Sequence, residues 1–263
     1  MMKNNSTQKP VIGIVGGVGP YAGLDLARKV FDNTIAYRDQ DHLPLALLSL
    51  PDEIGDRTAY LLGELSENPG RALADVILRL DRAGATVVGI PCNTAHAPEI
   101  FGFMQQILRE QGSEVTVPHM IRETVQFILE TFPKARKIGV LSTLGTYQTG
   151  IYPEYLEREK LKAVVPDAHI QQKVHDAIYS PKYGIKAYSN PVKKEAVRII
   201  KDAANKLKSQ GAEVVILGCT ELPLAIREKS LAGCPVVDPT QVLARALIRE
   251  SYPQKLKPLD EVL

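Results

Sequence analysis

Two of the three cysteines stand in matching surroundings. Gly84-Ala85-Thr86-Val87-Val88 leads to Cys92 and Gly211-Ala212-Glu213-Val214-Val215 leads to Cys219, each cysteine eight residues after its glycine and the two sites 127 residues apart. A thiol, with a reference pKa of about 8.5, serves as a base once its thiolate is stabilised and gives back a proton as the thiol. Two such groups on opposite faces of one small molecule suit a reaction that removes a proton from one side of a carbon and returns one to the other, which is racemisation. The competing expectation is that both are buried small hydrophobes, the commonest fate of a free cysteine. Cys234, before Pro235 and a Val-Val pair, lacks the shared surroundings and is expected in the core.

The elements that must position these thiols carry the same echo. Ile12-Gly13-Ile14-Val15 matches Ile138-Gly139-Val140-Leu141 at an offset of 126 residues, so two separate strand-like runs repeat in one order at nearly one separation. Short apolar runs without polar alternation (Val11 to Val15, Thr86 to Ile90, Ile138 to Leu141, Val214 to Leu217) are what strands buried on both faces of a parallel sheet require. Segments with helical spacing lie between them, such as Ala72 to Ala83 and Lys194 to Ser209, each followed by glycine where a helix end commonly needs one. Prolines including Pro44, Pro51, Pro118, Pro153 and Pro239 are expected between elements. The reading is α/β: two similar Rossmann-like domains with parallel sheets, related by a pseudo-twofold axis, spanning 9–133 with Cys92 and 134–263 with Cys219. The last segment is free to pack back on the first domain. Ligands of open α/β sheets bind outside the C-terminal strand ends, so the active site is expected in the interdomain cleft. Cys92 and Cys219 each precede residues that resemble helix starts, whose N–H groups bind anions and lower a thiol pKa.

Composition narrows the function classes. The chain has 263 residues, 44% hydrophobic and 24% charged, enough apolar content for a sizeable core. Its 32 basic and 30 acidic residues leave a net charge of +2, with no one-sign block to hold a nucleic acid or a membrane surface. The polar start, Met1 to Pro10, lacks a signal-type apolar stretch, and no apolar run reaches membrane-spanning length, so a cytoplasmic protein is expected. Three cysteines without C-x-x-C spacing argue against a disulfide framework or zinc knuckle.

Pro91-Cys92-Asn93-Thr94-Ala95-His96 and Gly218-Cys219-Thr220-Glu221 are similar to the paired cysteine motifs of the cofactor-independent aspartate/glutamate racemase superfamily. Gly16-Gly17-Val18-Gly19-Pro20 resembles the N-terminal loop of its aspartate racemase branch. The resemblance spans about Val11 to Ile248 and implies a catalytic cysteine on each side of a cleft, neither pyridoxal phosphate nor metal, and a homodimer. Pro51 to Thr58 looks like the segment whose arginine binds a side-chain carboxylate, which places that role on Arg57 with Thr58 beside it. Ile178 to Gly184 looks like the segment that contributes a substrate-binding lysine, here Lys182. Arginine and lysine converging on one cavity select a second carboxylate, so the partner implied is a small dicarboxylic amino acid. By the same resemblance Asn93, Thr94 and Thr220 hold the α-carboxylate or amino group, with Gly17, His96 and Glu221 behind them. Tyr21-Ala22-Gly23 after Pro20 departs from the branch pattern. Glutamate racemases carry an Asp-Ser-Gly segment and a histidine after the second Cys-Thr, where this chain has Gly17-Val18-Gly19 and Glu221, and aspartate is therefore favoured.

Other readings share these features. A glutamate or broad-spectrum acidic amino-acid racemase, or a related isomerase or decarboxylase, would use the same cleft. The glycines of residues 13–19 lack G-x-G-x-x-G spacing, and Pro20 interrupts them, which disfavours a dinucleotide loop. A two-lobed binding protein without catalysis would share the lobes but has no use for paired cysteines.

Overall fold

The computed structural model describes residues 9–259. Met1 to Gln8, most of the polar start, and 260–263, the end of the C-terminal tail, lie outside the described residues. The first half runs β1 (Val11–Gly16), α1 (Pro20–Asp32), β2 (Leu45–Ser49), α2 (Arg57–Leu61), α3 (Gly70–Arg82), β3 (Ala85–Gly89), α4 (Pro98–Glu110) and α5 (Met120–Thr131). The second runs β4 (Lys137–Ser142), α6 (Leu144–Thr149), α7 (Ile151–Arg158), β5 (Lys162–Val164), α8 (Ala168–Tyr179), α9 (Lys194–Ser209), β6 (Val214–Gly218), α10 (Leu222–Ala225), β7 (Ser230–Leu231), β8 (Cys234–Val237) and α11 (Pro239–Ser251).

Two sheets result, ordered β2-β1-β3 and β5-β4-β6-β8-β7, parallel except for the short β7–β8 pair. The strand order β2-β1-β3 recurs as β5-β4-β6. The register aligns Ile12 with Leu45 and Val87 in the first sheet, and Ile138 with Ala163 and Val214 in the second. Beyond β3, Thr116 bridges Val87 in parallel, where β8 follows β6 in the second sheet. Helices α3 and α9, which bury Leu73, Ile77 and Leu80 and Ile200, Ala203 and Leu207, pack this repeat on one face of each sheet. Both close before a glycine at positive φ, Gly84 at 92° and Gly211 at 94°, a conformation that costs a residue without Cβ least. The sequence offset between the halves is thus a repeat of strand, helix and closing turn.

Two helices cross between the halves. α5 buries Ile121, Val125 and Ile128 among residues of β4, α7 and β6, whereas α11 buries Leu243, Ala244, Leu247 and Ile248 against Ile12, Ile14, Leu26 and Val87. Each fully buried leucine or isoleucine contributes about 1.5–3 kcal/mol, so α11 is held on the first sheet mainly by apolar burial. Its start is fixed by charge: Asp238 caps the Thr240 N–H at 2.8 Å and shares Lys29 of α1 with Asp25. The described part of the tail docks beside α1, with the Ile35 N–H donating to the Lys255 carbonyl at 2.8 Å. Pro153 and Pro239, expected between elements, instead lie in the first turns of α7 and α11, where a proline removes no helical hydrogen bond. Cys234 is fully buried, its thiol 3.1 Å from the Ala212 carbonyl.

Candidate active site

The C-terminal ends of β1, β3, β4 and β6 open on one cleft, where they deliver Gly17, Cys92, Thr143 and Cys219. Cys92 follows β3 after a tight turn, its N–H bonded to the Ile90 carbonyl at 2.8 Å; Cys219 directly follows β6. Both thiols line one small cavity of about 10 Å³, space for about one water, with Asn93, Thr94, Thr220, Glu221, Arg57 and Lys186. Arg57, Lys186 and Glu221 also face an outer cavity of about 400 Å³ that is bordered by Gly17, Gly19 and Pro51. These three charged residues form the neck between an outer chamber and the thiols.

The two cysteines have opposite electrostatic partners. Thr94 Oγ1 lies 3.1 Å from Cys92 Sγ, and burial opposes the Arg57 charge, but Cys92 and Asp56 beside it hold its guanidinium above the usual arginine value. Arg57 donates to the Gly55 carbonyl at 2.9 Å while its buried Nε has no partner among the described residues. On the other side the Cys219 thiol donates to Glu221 Oε2 at 3.0 Å, and Lys186 donates to Glu221 Oε1 at 2.6 Å. Burial and the Glu221 carboxylate push the Cys219 thiol well up, with Lys186 opposing them in part. Burial also works against the Glu221 charge, yet Lys186 and the Cys219 hydrogen bond keep its carboxyl below the usual range. Lys186 is in turn held above the usual lysine value, Glu221 outweighing the cost of burial. Cys219 therefore rests as a thiol against a carboxylate, and Cys92 faces a fixed cation.

Contacts across the cleft orient the remaining groups. Tyr152 of α7, fully buried, donates to Asn93 Oδ1 at 2.6 Å, which leaves Asn93 Nδ2 buried and without a partner among the described residues, in a side chain that lines the cavity. Thr220 Oγ1 donates to the Pro91 carbonyl at 3.0 Å and keeps its lone pairs. Thr58 is buried where α2 meets α6, 3.4 Å from Thr143 Oγ1 and 3.3 Å from the Tyr179 hydroxyl. Gly17 turns the chain at φ 86°, and a Cβ there would meet the Pro51 nitrogen at 2.7 Å. Gly19, at φ 106°, lies so near Glu221 that a Cβ would come within 2.4 Å of Oε1. His96 is fully buried behind Cys92, its Nδ1 2.8 Å from the Cys92 carbonyl and its ring stacked on Phe101. Burial first, then His119, pushes the His96 pKa down to about 3, so it supports the loop as a neutral ring.

A family model described as Asp/Glu/Hydantoin racemase matches residues 15–247. The chain belongs to this family. Among solved structures it is similar to Picrophilus torridus aspartate racemase, with 28% sequence identity, a TM-score of 0.79, and coverage of 96% of this chain and 97% of that one. Among curated proteins it is 26% identical over 243 residues to the broad specificity amino-acid racemase RacX of Bacillus subtilis (strain 168), covering 90% of this chain and 96% of the relative. It is 27% identical over 212 residues to a glutamate racemase of Carboxydothermus hydrogenoformans, covering 77% of this chain and 71% of the relative. The protein is thus an amino-acid racemase of the Asp/Glu family, an isomerase, with the two parallel-sheet domains of that fold. No helix among the described residues is long and apolar enough to cross a membrane.

Two expectations for the racemase site are corrected by its geometry. Lys182 is exposed and lines neither cavity; the lysine at the neck is Lys186, four residues on. The chain turns sharply after α8, the Gly184 N–H bonding the Ser180 carbonyl at 2.7 Å and the Lys186 N–H the Ile178 carbonyl at 3.0 Å, which carries Lys186 back beside the helix end. The expected helix starts behind the cysteines are only a single 3-10 turn, Thr94–His96, and the four-residue α10. Burial and then the Glu221 carboxylate raise the Cys219 pKa, outweighing Lys186 and the Glu221 N–H, which lower it. The racemase site further includes Tyr152, Tyr179, Thr143 and Thr146, which no motif indicated. Only Tyr179 lay inside a segment already marked by the sequence, beside the misassigned Lys182.

Proposed function

We propose that this racemase interconverts L- and D-aspartate by two-base proton transfer between Cys92 and Cys219. The carrying observation is that thiols from the two halves line one small cavity together with Arg57, Lys186 and the Asn93 amide. One cysteine, as thiolate, takes the Cα proton; the thiol opposite gives its proton to the other face of the carbanion; the two protonation states are exchanged by each turnover. Cys219, bonded to Glu221, suits the proton donor in the resting enzyme. Fixed donors that strengthen as charge develops stabilise the intermediate. Asn93 Nδ2 donates to the α-carboxylate, Thr94 bonds the Cys92 sulfur, and Thr220 Oγ1 accepts from the α-ammonium. Arg57 and Lys186 hold the second carboxylate with charge-assisted bonds. Because the inner cavity has room for about one water, the substrate enters through the outer chamber as the neck residues part.

The test follows α-hydrogen exchange in heavy water by NMR with L- and D-aspartate and both enantiomers of glutamate. Positioned acid–base groups contribute about 10²–10⁴-fold each, so Cys92→Ser and Cys219→Ser should each abolish measurable interconversion while Cys234→Ser keeps it. Wild-type rates in either of the first two variants would overturn the mechanism. Faster exchange of glutamate than of aspartate would overturn the substrate, and tight ligand capture without exchange would overturn catalysis.

A further inference from the structure

Arg57 stands in α2 of the first half and Lys186 in the turn after α8 of the second. One side chain ties the two together: Tyr179, the last residue of α8, lines the inner cavity. Its hydroxyl donates to Asp56 Oδ2 at 3.1 Å, and Asp56 Oδ1 accepts from the Ala59 N–H at 2.9 Å as the cap of α2, the helix whose first residue is Arg57. Its ring holds Lys186 Nζ 5.2 Å from the centroid and stacks on His175 at 4.6 Å. A phenol has one proton, and it is shared between two acceptors, Asp56 Oδ2 as the nearer and Thr58 Oγ1 at 3.3 Å. Burial pushes the Tyr179 pKa up, so the group remains a neutral donor at any working pH.

We propose that Tyr179 is the positioning residue that sets the span between Arg57 and Lys186, and thereby selects the chain length of the dicarboxylate; this rests on the acidic amino-acid reading above. The cap bond fixes where α2 presents Arg57 relative to the second half, and the ring fixes the lysine. Loss of the bond lets the two cations separate, which weakens the shorter substrate more than the longer one. Hydrogen bonds to charged groups are worth enough that Tyr179→Phe, which keeps the ring, should raise KM for L-aspartate about tenfold, with a smaller change in kcat. The change for L-glutamate should be smaller still.

Binding of succinate and glutarate, the four- and five-carbon dicarboxylates without an amino group, supplies a readout separate from turnover. Calorimetry on the full chain should show wild type favouring succinate, with the succinate-to-glutarate affinity ratio falling at least about fivefold in Tyr179→Phe. Asp56→Asn, which leaves the tyrosine in place and keeps a capping oxygen, should lower the ratio in the same direction, and the double variant should lose no more than the larger single loss. Equal wild-type affinities, or an unchanged ratio in either folded variant, would overturn the role of Tyr179. A wild-type protein that exchanges aspartate but keeps its length preference in both variants would leave the proposed function standing and remove only this inference. A wild type that neither binds these acids nor exchanges acidic amino acids would remove both.

Discussion

Tyr152→Phe removes one oxygen from a fully buried ring and thereby tests how Asn93 is oriented. The lost bond, 2.6 Å from the Tyr152 hydroxyl to Asn93 Oδ1, spans the two halves and is sealed from water. Phenylalanine fills the same space, so no sizeable cavity opens; the effect comes from a buried acceptor left unpaired, which costs about 1–3 kcal/mol. For a chain of this size each kcal/mol shifts Tm by about 2–4 °C, so calorimetric unfolding should fall by roughly 2–12 °C. Asn93 then rotates freely and its Nδ2 no longer waits at the cavity. If misplacement forfeits one transition-state hydrogen bond, about 1.4 kcal/mol or more, kcat/KM for aspartate should drop at least tenfold. The decisive measurement is the double variant: in an Asn93→Ala background, Tyr152→Phe should cost little further activity, because its partner is already gone. Full additivity of the two kcat/KM losses, or a Tm equal to wild type, would refute the argument that the tyrosine acts through Asn93.

Glu221→Gln removes the carboxylate that helps raise the Cys219 pKa and releases Lys186 to act on the sulfur. The pH midpoint for Cys219 alkylation by iodoacetamide, read by peptide mapping, should move down; an upward move or none would contradict the charge arrangement. His96 and His119 are held neutral, pushed down to about 3 and about 4 from 6.5, mainly by burial. The unfolded chain then binds more protons than the folded one below pH 6.5, so stability falls as pH drops from about 6.5 toward 4, by up to about 1.4 kcal/mol per unit for each histidine. Urea unfolding at pH 7 and 5 should show this loss, and His119→Asn, which retains an N-cap acceptor for α5, should reduce the slope; equal stability at both pH values would exclude it. Gly19→Ala and Gly63→Ala both strain a positive-φ residue, at 106° and 78°, but only the first pushes a Cβ against Glu221; nothing lies within 4 Å at Gly63. Both should lose about 1–3 kcal/mol of stability, while activity should fall in Gly19→Ala alone, and equal activity losses would indicate that Glu221 placement is not the cause.

Local patterns carried the architecture far because its strands are buried on both faces. Ile12 to Val15 and Ile138 to Leu141 are continuous apolar runs for that reason, and their repeat spacing survives as matched strands β1 and β4. Strand β2 was not legible: Leu45–Ser49 is only half-buried and follows Pro44, so its composition carries a weaker strand signal. The cysteines were legible because each ends an apolar run and the surroundings recur. The Cys219 electrostatics were not, since burial and the Glu221 carboxylate, which arise only in the folded chain, outweigh the lowering contribution of the Glu221 N–H. Lys186 was not legible, because the turn after α8 closes through Gly184 and Lys186 backbone bonds that leave no side-chain pattern. Tyr152 and Tyr179 meet Asn93 and Asp56 from 59 and 123 residues away, and no local spacing encodes a contact that exists only when the two halves face one another.

The exchange of α5 and α11 between the halves bears on how the protein is made. The first sheet and α1 are laid down early in synthesis, yet the helix that completes the cover of Ile12, Ile14 and Val87 beside α1 is Pro239–Ser251, at the far end of the described chain. On the ribosome that apolar face stays only partly covered, by α1, until residues beyond Asp238 are made. Translation and completion of the catalytic cleft are coupled: the event that covers the first sheet also locks Asp238 onto Lys29 and brings the halves together. A nascent chain halted before α11 would leave part of the first sheet's apolar surface open, the kind of surface that promotes aggregation.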